Sequence, residues 1–243
     1  MLGHQHFTLS TATALLVLIP FLPEYRISVG FVLVGVAIGS LIPDIDSKGT
    51  AIFSGNINEL DGYISRVFAY LLSPFMPAFG YFTRYFIYKP AVKLLNIASD
   101  KYRFEEKHRG FTHSLMGVVV FVLCTGLALY PVFLYFGSMS LLIYLMAGYT
   151  AGAVLHMVQD SMTRSGIKWN QPFSSVKLKG QLRTGKDTLR PQTFLATLIS
   201  LILLGIAPIR LTVFSYKGWN GLVLAGLCWL IFALISGVSI STD

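Results

Sequence analysis

Apolar runs close to membrane-spanning length recur along this chain of 243 residues. Such runs restrict the backbone severely, because inside hydrocarbon every N–H and C=O must be satisfied by a helix or a closed barrel. Roughly 20 apolar residues of helix cross a hydrocarbon core of about 30 Å. The runs are Phe7 to Leu22, Ile27 to Ile42, Leu115 to Phe136, Leu141 to Val158, Thr193 to Ile209 and Gly221 to Ile240. The expected fold class is all-α: a polytopic membrane helical bundle of about six transmembrane helices, paired as three hairpins. The first run has no basic leader and no small-residue cleavage pattern before Pro23 and Glu24, so it reads as a retained span rather than a signal peptide.

Charge supports this class and orients it. Charged residues make up 12% of the chain, against roughly 25% in soluble domains, which excludes an ordinary soluble enzyme and a disordered tail. The 19 Lys and Arg residues give a formal net charge of +8, nine of them lying between Asp44 and Gly110 and seven between Arg164 and Arg190. Arg26, Arg210 and Lys217 are the remainder. By the positive-inside rule both long loops and both termini are expected in the cytoplasm, on the inner face of the cytoplasmic membrane. These cations are spread along loops without a nucleic-acid module, so the expected partner is the lipid bilayer and not a nucleic acid. Cys124 and Cys228 fall inside apolar runs, which leaves His and carboxylate as the donors for any metal.

One integral-membrane domain, 1-243, is expected, with a core over 1-172, an insertion over about 50-107 and a C-terminal hairpin over 193-243. Within the insertion, Tyr63 to Pro77 and Tyr81 to Ala98 mix aromatics with Arg66, Arg84, Lys89 and Lys93. That is the composition of amphipathic helices lying in the headgroup plane; a further pair of spans is the alternative. Lys177 to Arg190 reads as a surface loop or hairpin.

The five histidines are His4, His6, His108, His113 and His156. His4 precedes the first run, Pro43-Asp44-Ile45-Asp46 closes the second, His108 and His113 open the third, and His156 with Asp160 closes the fourth. In the topology derived from Lys and Arg alone, all these places fall at cytoplasmic helix ends. His156 and Asp160 are spaced i, i+4, on one helical face. Asp44 and Asp46 flank a single residue. Carboxylates crowded together need a compensating cation, and ionisable groups at membrane depth are functional by default. Caps and salt bridges account for Asp44 or Asp160 singly but not for the histidines that join them.

The strings Gly3-His4, Leu41-Ile42-Pro43-Asp44-Ile45-Asp46, His108-Arg109-Gly110-Phe111-Thr112-His113-Ser114 and His156-Met157-Val158-Gln159-Asp160-Ser161-Met162-Thr163, followed by Gly166 and Pro172, stand in that order. In them the chain resembles the LexA-regulated, membrane-bound, metal-dependent hydrolases of the YdjM type over about residues 3 to 172. The resemblance implies metal-ligand roles for His4, Asp44, Asp46, His108, His113, His156 and Asp160. His6 is extra to the pattern and is the alternative N-terminal ligand.

Seven N and O donors exceed one tetrahedral zinc, so two divalent ions, or one with a second weaker site, are expected, with Zn leading and Mn or Fe as alternatives. The expected function is metal-dependent hydrolysis of a phosphoester, with an anionic lipid or amphiphilic phosphoester as substrate. Asp46, His113 and Arg109 are the expected catalytic residues, Arg109 gripping an anionic oxygen or else anchoring a headgroup or helix end. Thr112 and Ser114 are expected either to support the ligands or to cap the third span. Arg164, Lys168 and Trp169 read as a phosphate-facing rim or as interfacial anchors. A metal transporter or sensor using the same cluster is the alternative function, and the last two spans, which lack Asp, Glu and His, count against it.

Overall fold

A computed structural model of the chain describes residues 1–47, 49–54, 75–99, 102, 104, 109–206 and 220–242. The α-helices are α1 (Gly3–Leu18), α2 (Arg26–Gly39), α3 (Ala51–Ser54), α4 (Phe75–Phe82), α5 (Lys89–Ala98), α6 (Leu115–Tyr135), α7 (Met139–Ser161), α8 (Leu189–Ile206) and α9 (Asn220–Ile235). A π-helical stretch, Thr83–Tyr88, joins α4 to α5. Among the described residues the bundle is thus all-α apart from two four-residue strands.

Among the described residues, four segments are long and apolar enough to cross a membrane: Arg26–Asp46, Leu115–Tyr135, Met139–Ser161 and Leu189–Ile206. Helix α9 is a shorter apolar helix of 16 residues. At 1.5 Å per residue, α1 with its 16 residues spans about 24 Å, less than the core thickness. Instead it is wrapped by other helices. Its Leu9 and Leu16 pack with Phe194 and Leu198 of α8 and with Trp229 and Phe232 of α9. Trp229 Nε1 donates to Thr13 Oγ1 at 3.1 Å, and Gln159 Nε2 of α7 donates to Ser10 Oγ at 2.8 Å. The C-terminal hairpin is therefore the scaffold that holds α1. In contrast, α6 presents Leu123 (66% exposed) and Leu127 (75%) outward, the stripe expected against lipid.

Helices α2 and α7 form the tightest pair. Gly35 and Gly39 of α2 cross Gly148 and Gly152 of α7. A Cβ at Gly35 would stand 2.1 Å from Leu145 O and one at Gly39 2.0 Å from Tyr149 O; at Gly148 and Gly152 the obstacles are Val32 O at 2.1 Å and Val36 O at 2.3 Å. The two backbones touch, as small-xxx-small pairs allow in membranes. This contact sets the end of α2 beside the last turns of α7.

The sixth run ends earlier than its composition suggests. Helix α9 stops at Ile235, and Gly237 turns the chain at φ +61°, a left-handed conformation that glycine adopts without steric cost. Strand β2 (Ser239–Thr242) then pairs antiparallel with β1 (Val176–Lys179), Val176 opposite Thr242 and Lys179 opposite Ser239. The expected surface loop thus contains a strand whose partner is the end of the chain, a pairing that periodicity within either segment could not reveal.

Tyr63 to Pro74 of the expected interfacial helices lie outside the described residues. From Phe75 onward the segment is helical. Phe75, Phe86, Leu94 and Ile97 face outward while Met76, Ile87, Tyr88 and Val92 are buried, giving one apolar outer face beside Lys89 and Lys93.

Candidate metal centre

Four chain segments deliver donors to one end of the bundle. His6 sits near the start of α1. Beyond α2, Pro43 lies in a 3-10 turn, Ile42–Asp46, that carries Asp44 and Asp46. A second 3-10 turn, Phe111–His113, carries His113 ahead of α6. Ser114 ends that turn as the N-cap of α6, its Oγ accepting from Gly117 N at 3.1 Å. His156 and Asp160 lie one turn apart near the end of α7.

The donor atoms converge. His113 Nε2 and His156 Nε2 are 3.3 Å apart. His113 Nε2 lies 3.4 Å from Asp160 Oδ2 and 3.6 Å from Asp44 Oδ1; His156 Nε2 lies 3.8 Å and 3.7 Å from the same two oxygens. His6 Nε2 is 3.4 Å from Asp160 Oδ1, and its ring stacks on that of His156 with centroids 3.7 Å apart. All five residues are buried. Two overlapping groups, His6–Asp44–His156 and His113–His156–Asp160, have the closeness needed to hold an ion.

These separations suit a divalent cation. Bonds of about 2.0–2.1 Å at tetrahedral angles put neighbouring donors about 3.3 Å apart. Both ring nitrogens of His6 are buried without a hydrogen-bond partner among the described residues, a costly arrangement that a coordinated ion would relieve. Imidazole and carboxylate without thiolate suit Zn, Mn or Fe.

Neighbouring groups orient the donors. His156 Nδ1 donates to Ser40 O at 2.7 Å, which leaves Nε2 with its lone pair towards the cluster. Thr112 Oγ1 lies 3.0 Å from His113 Nδ1 and donates to Asp46 Oδ2 at 2.9 Å. Asp46 also accepts from Arg109 N at 3.1 Å. Arg109 adopts φ +65°, a conformation that costs a non-glycine residue about 1–2 kcal/mol and is held in place from both sides. Gln171 Nε2 donates to Arg109 O and Gly110 O at 2.8 Å. The Arg109 guanidinium pairs with Asp160 Oδ2 at 3.1 Å and donates to Thr163 Oγ1 at 3.0 Å and to Ser165 Oγ. Asp160 Oδ1 further accepts from the Met1 ammonium at 2.7 Å.

Of the residues singled out in the sequence, Asp44, His113, His156 and Asp160 meet. His6 rather than His4 joins them: residues two apart on a helix point about 200° apart, so only one of the pair can face the cluster, and His4 is half-buried elsewhere. Asp46 touches the outer side of His113, its Oδ2 3.7 Å from Nδ1. Arg109 grips Asp160 and the Thr163–Gly166 turn. His108 lies outside the described residues. Thr112 contacts His113 whereas Ser114 caps α6. Trp169 turns inward, Nε1 donating to Ser161 Oγ at 2.8 Å, while Arg164 is exposed. Ser40, Gln171 and the glycine crossing escape the sequence reading. The last has a signal in Gly35-Val-Ala-Ile-Gly39 and Gly148-Tyr-Thr-Ala-Gly152.

Burial lowers the pKa of His113, but hydrogen bonds and charge from Asp160 and Asp44 outweigh it and push the ring up to about 9. An incoming cation must displace that proton. Metal affinity is therefore expected to strengthen about tenfold per pH unit as pH rises towards about 9, and to level off above it. Competition with a chromophoric chelator across pH 6.5 to 9.5, roughly the range in which this imidazole would titrate, measures it. An affinity independent of pH would show that His113 is not a ligand.

The family model for YdjM inner membrane protein matches residues 1–242 of the chain. No curated protein and no solved structure matches.

Proposed function

The chain belongs to the YdjM inner membrane protein family, and from that premise and the donor geometry we propose that it is a metal-dependent hydrolase acting on a phosphoester at the cytoplasmic face of the membrane. The observation that carries this reading is the convergence of three imidazoles and two carboxylates in one buried cluster. A divalent ion held by three or four of His6, Asp44, His113, His156 and Asp160, zinc foremost, would keep a position for water, lower that water's pKa towards neutrality and polarise a phosphoryl oxygen.

One ion is the number these donors support. His156 gives Nδ1 to Ser40 O, so a single lone pair remains, and the two overlapping triads share it. That sharing supports a single centre. A second ion, as the seven-residue set would suggest, needs donors beyond these five, and His108 and Asp46 are the candidates.

The chain's own residues orient the donors. Arg109 fixes the orientation of Asp160, and Asp46 holds Thr112 against His113. In hydrolysis one water is consumed: a P–O bond forms to its oxygen, the ester P–O bond breaks, and a proton ends on the departing alcohol. The basic loops 44–110 and 164–190 suit an anionic amphiphile, and the outward apolar face of α4 and α5 suits a substrate that approaches from lipid. A transporter would need donors along a path, and the metal-binding groups among the described residues lie together at one end.

Purified full-length protein is expected to hold about one equivalent of metal, to hydrolyse phospholipids or generic phosphodiesters, and to lose and regain activity on chelation and reloading. Metal-loaded protein that releases no product from such a panel would sink the enzymatic reading. Asp46→Ala is expected to keep the metal stoichiometry while weakening affinity about 10- to 100-fold, as for other groups that orient a ligating histidine. Loss of a whole equivalent would make Asp46 a ligand instead.

A further inference from the structure

Between α1, α2, α3 and α4 lies a wholly apolar cavity of about 120 Å³, lined by Phe7, Ala37, Leu41, Ile52, Met76 and Phe79 among others. Two of its walls continue into the metal centre. Phe7 follows His6, and Leu41 stands between Ser40, whose carbonyl holds His156, and Asp44. The opposite wall belongs to α4, and Phe75, which also lines the cavity, is 71% exposed. The cavity therefore reaches the outer surface where the apolar face of α4 and α5 begins.

A dry space of this kind takes hydrocarbon rather than water; an apolar cavity of about 150 Å³ accepts benzene. For a chain of an inner membrane family the hydrocarbon at hand is lipid. Arg84 adds a polar end to the same place. Its Nη1 donates to Ile45 O at 2.8 Å, its guanidinium lies 5.6 Å from the centre of the Phe53 ring, and its Nε is buried without an acceptor among the described residues. The cation thus stands between Phe53, the neighbour in sequence of the wall residue Ile52, and the turn that carries Asp44. A phosphate is an acceptor that a guanidinium binds strongly, through paired N–H···O bonds.

We infer that this cavity receives an acyl chain of a membrane phospholipid and that Arg84 takes the phosphate-bearing end of the same molecule, holding it beside the His/Asp centre. As an assignment of substrate class this rests on the hydrolase reading; as a binding site it does not.

The test uses full-length protein in nanodiscs of phosphatidylglycerol containing a trace of phosphatidylglycerol with a diazirine within one acyl chain. Irradiation is expected to label Phe7, Leu41 or Phe79 and their neighbours. Filling the cavity with Ala37→Phe or, separately, Met76→Trp is expected to cut that labelling at least tenfold with metal content unchanged, which also reports that the variants fold. Arg84→Gln is expected to weaken displacement of the probe by unlabelled phosphatidylglycerol several-fold, but not displacement by a free fatty acid. Labels confined to the outer stripe of α6, or equal cavity labelling in both filled variants, would overturn the proposal. Cavity labelling in a protein that hydrolyses no phosphoester would retain the lipid site and remove the hydrolase reading. Hydrolysis of soluble phosphodiesters without cavity labelling would do the reverse.

Discussion

Asp160→Ala is expected to abolish metal binding, weakening affinity by at least about 100-fold and bringing bound metal in purified protein close to zero. Asp160 touches all three imidazoles of the centre as well as its arginine. Its Oδ2 faces His113, His156 and Arg109, and its Oδ1 faces His6 and the Met1 ammonium. Removing it deletes a candidate ligand and leaves the Arg109 guanidinium without its carboxylate. Breaking a buried pair in this way costs about 3–5 kcal/mol, to be discounted here because the Arg109 side chain keeps 16% exposure. Elemental analysis together with thermal unfolding, with and without added metal, measures both effects. Wild-type protein should be stabilised by metal, and the variant should not. If Asp160→Ala retained a full equivalent, the centre would have to be built from other donors.

Gly152→Ala and Gly39→Ala are expected to damage the same centre without touching a ligand. The new methyl groups would meet Val36 O at 2.3 Å and Tyr149 O at 2.0 Å. Those obstacles are backbone atoms and cannot swing aside, so α2 and α7 must separate. Overpacking ordinarily costs about 1–3 kcal/mol, and a backbone collision belongs at or above the top of that range. The separation also carries Asp44 away from His156, so metal affinity should fall with stability. Gly30→Ala is the control: nothing lies within 4 Å of a Cβ there, and alanine favours helix over glycine by about 1 kcal/mol. Thermal unfolding and metal content across the three variants decide the matter. Unchanged values for Gly39→Ala and Gly152→Ala would mean that the crossing is looser than the backbone contacts indicate.

Much of the centre is legible in the amino-acid sequence, because its residues are exceptions to a strong background. Asp44, His113, His156 and Asp160 interrupt apolar sequence at helix ends, and their positions along the chain converge once helices of bilayer length are assumed. The choice between His4 and His6 is less visible, although a signal exists. His6, Leu9, Thr13 and Leu16 follow a helical spacing and all are buried, whereas His4, Thr8, Thr11 and Leu15 lie on a half-buried face. The histidine that continues the buried stripe is the one that enters the site. Asp46 and Arg109 could not be assigned from spacing. Asp46 is two residues from a donor yet turns to Thr112 and to the backbone of Arg109, and Arg109 reaches across 51 positions of sequence to Asp160.

Composition and the spacing of apolar residues determined membrane residence, the all-α class and the end of each helix that bears the donors. These are local properties, since burial in lipid constrains each segment separately. Tertiary structure alone decided that α1 is enclosed by its neighbours, that the last residues pair with Val176–Lys179, and that His6, rather than His4, faces the cluster. Each of these depends on the rotation and depth of one helix against another. Contacts between residues far apart in the chain set them, above all the meeting of Gly35 and Gly39 with Gly148 and Gly152 and the packing of Trp229 on Thr13.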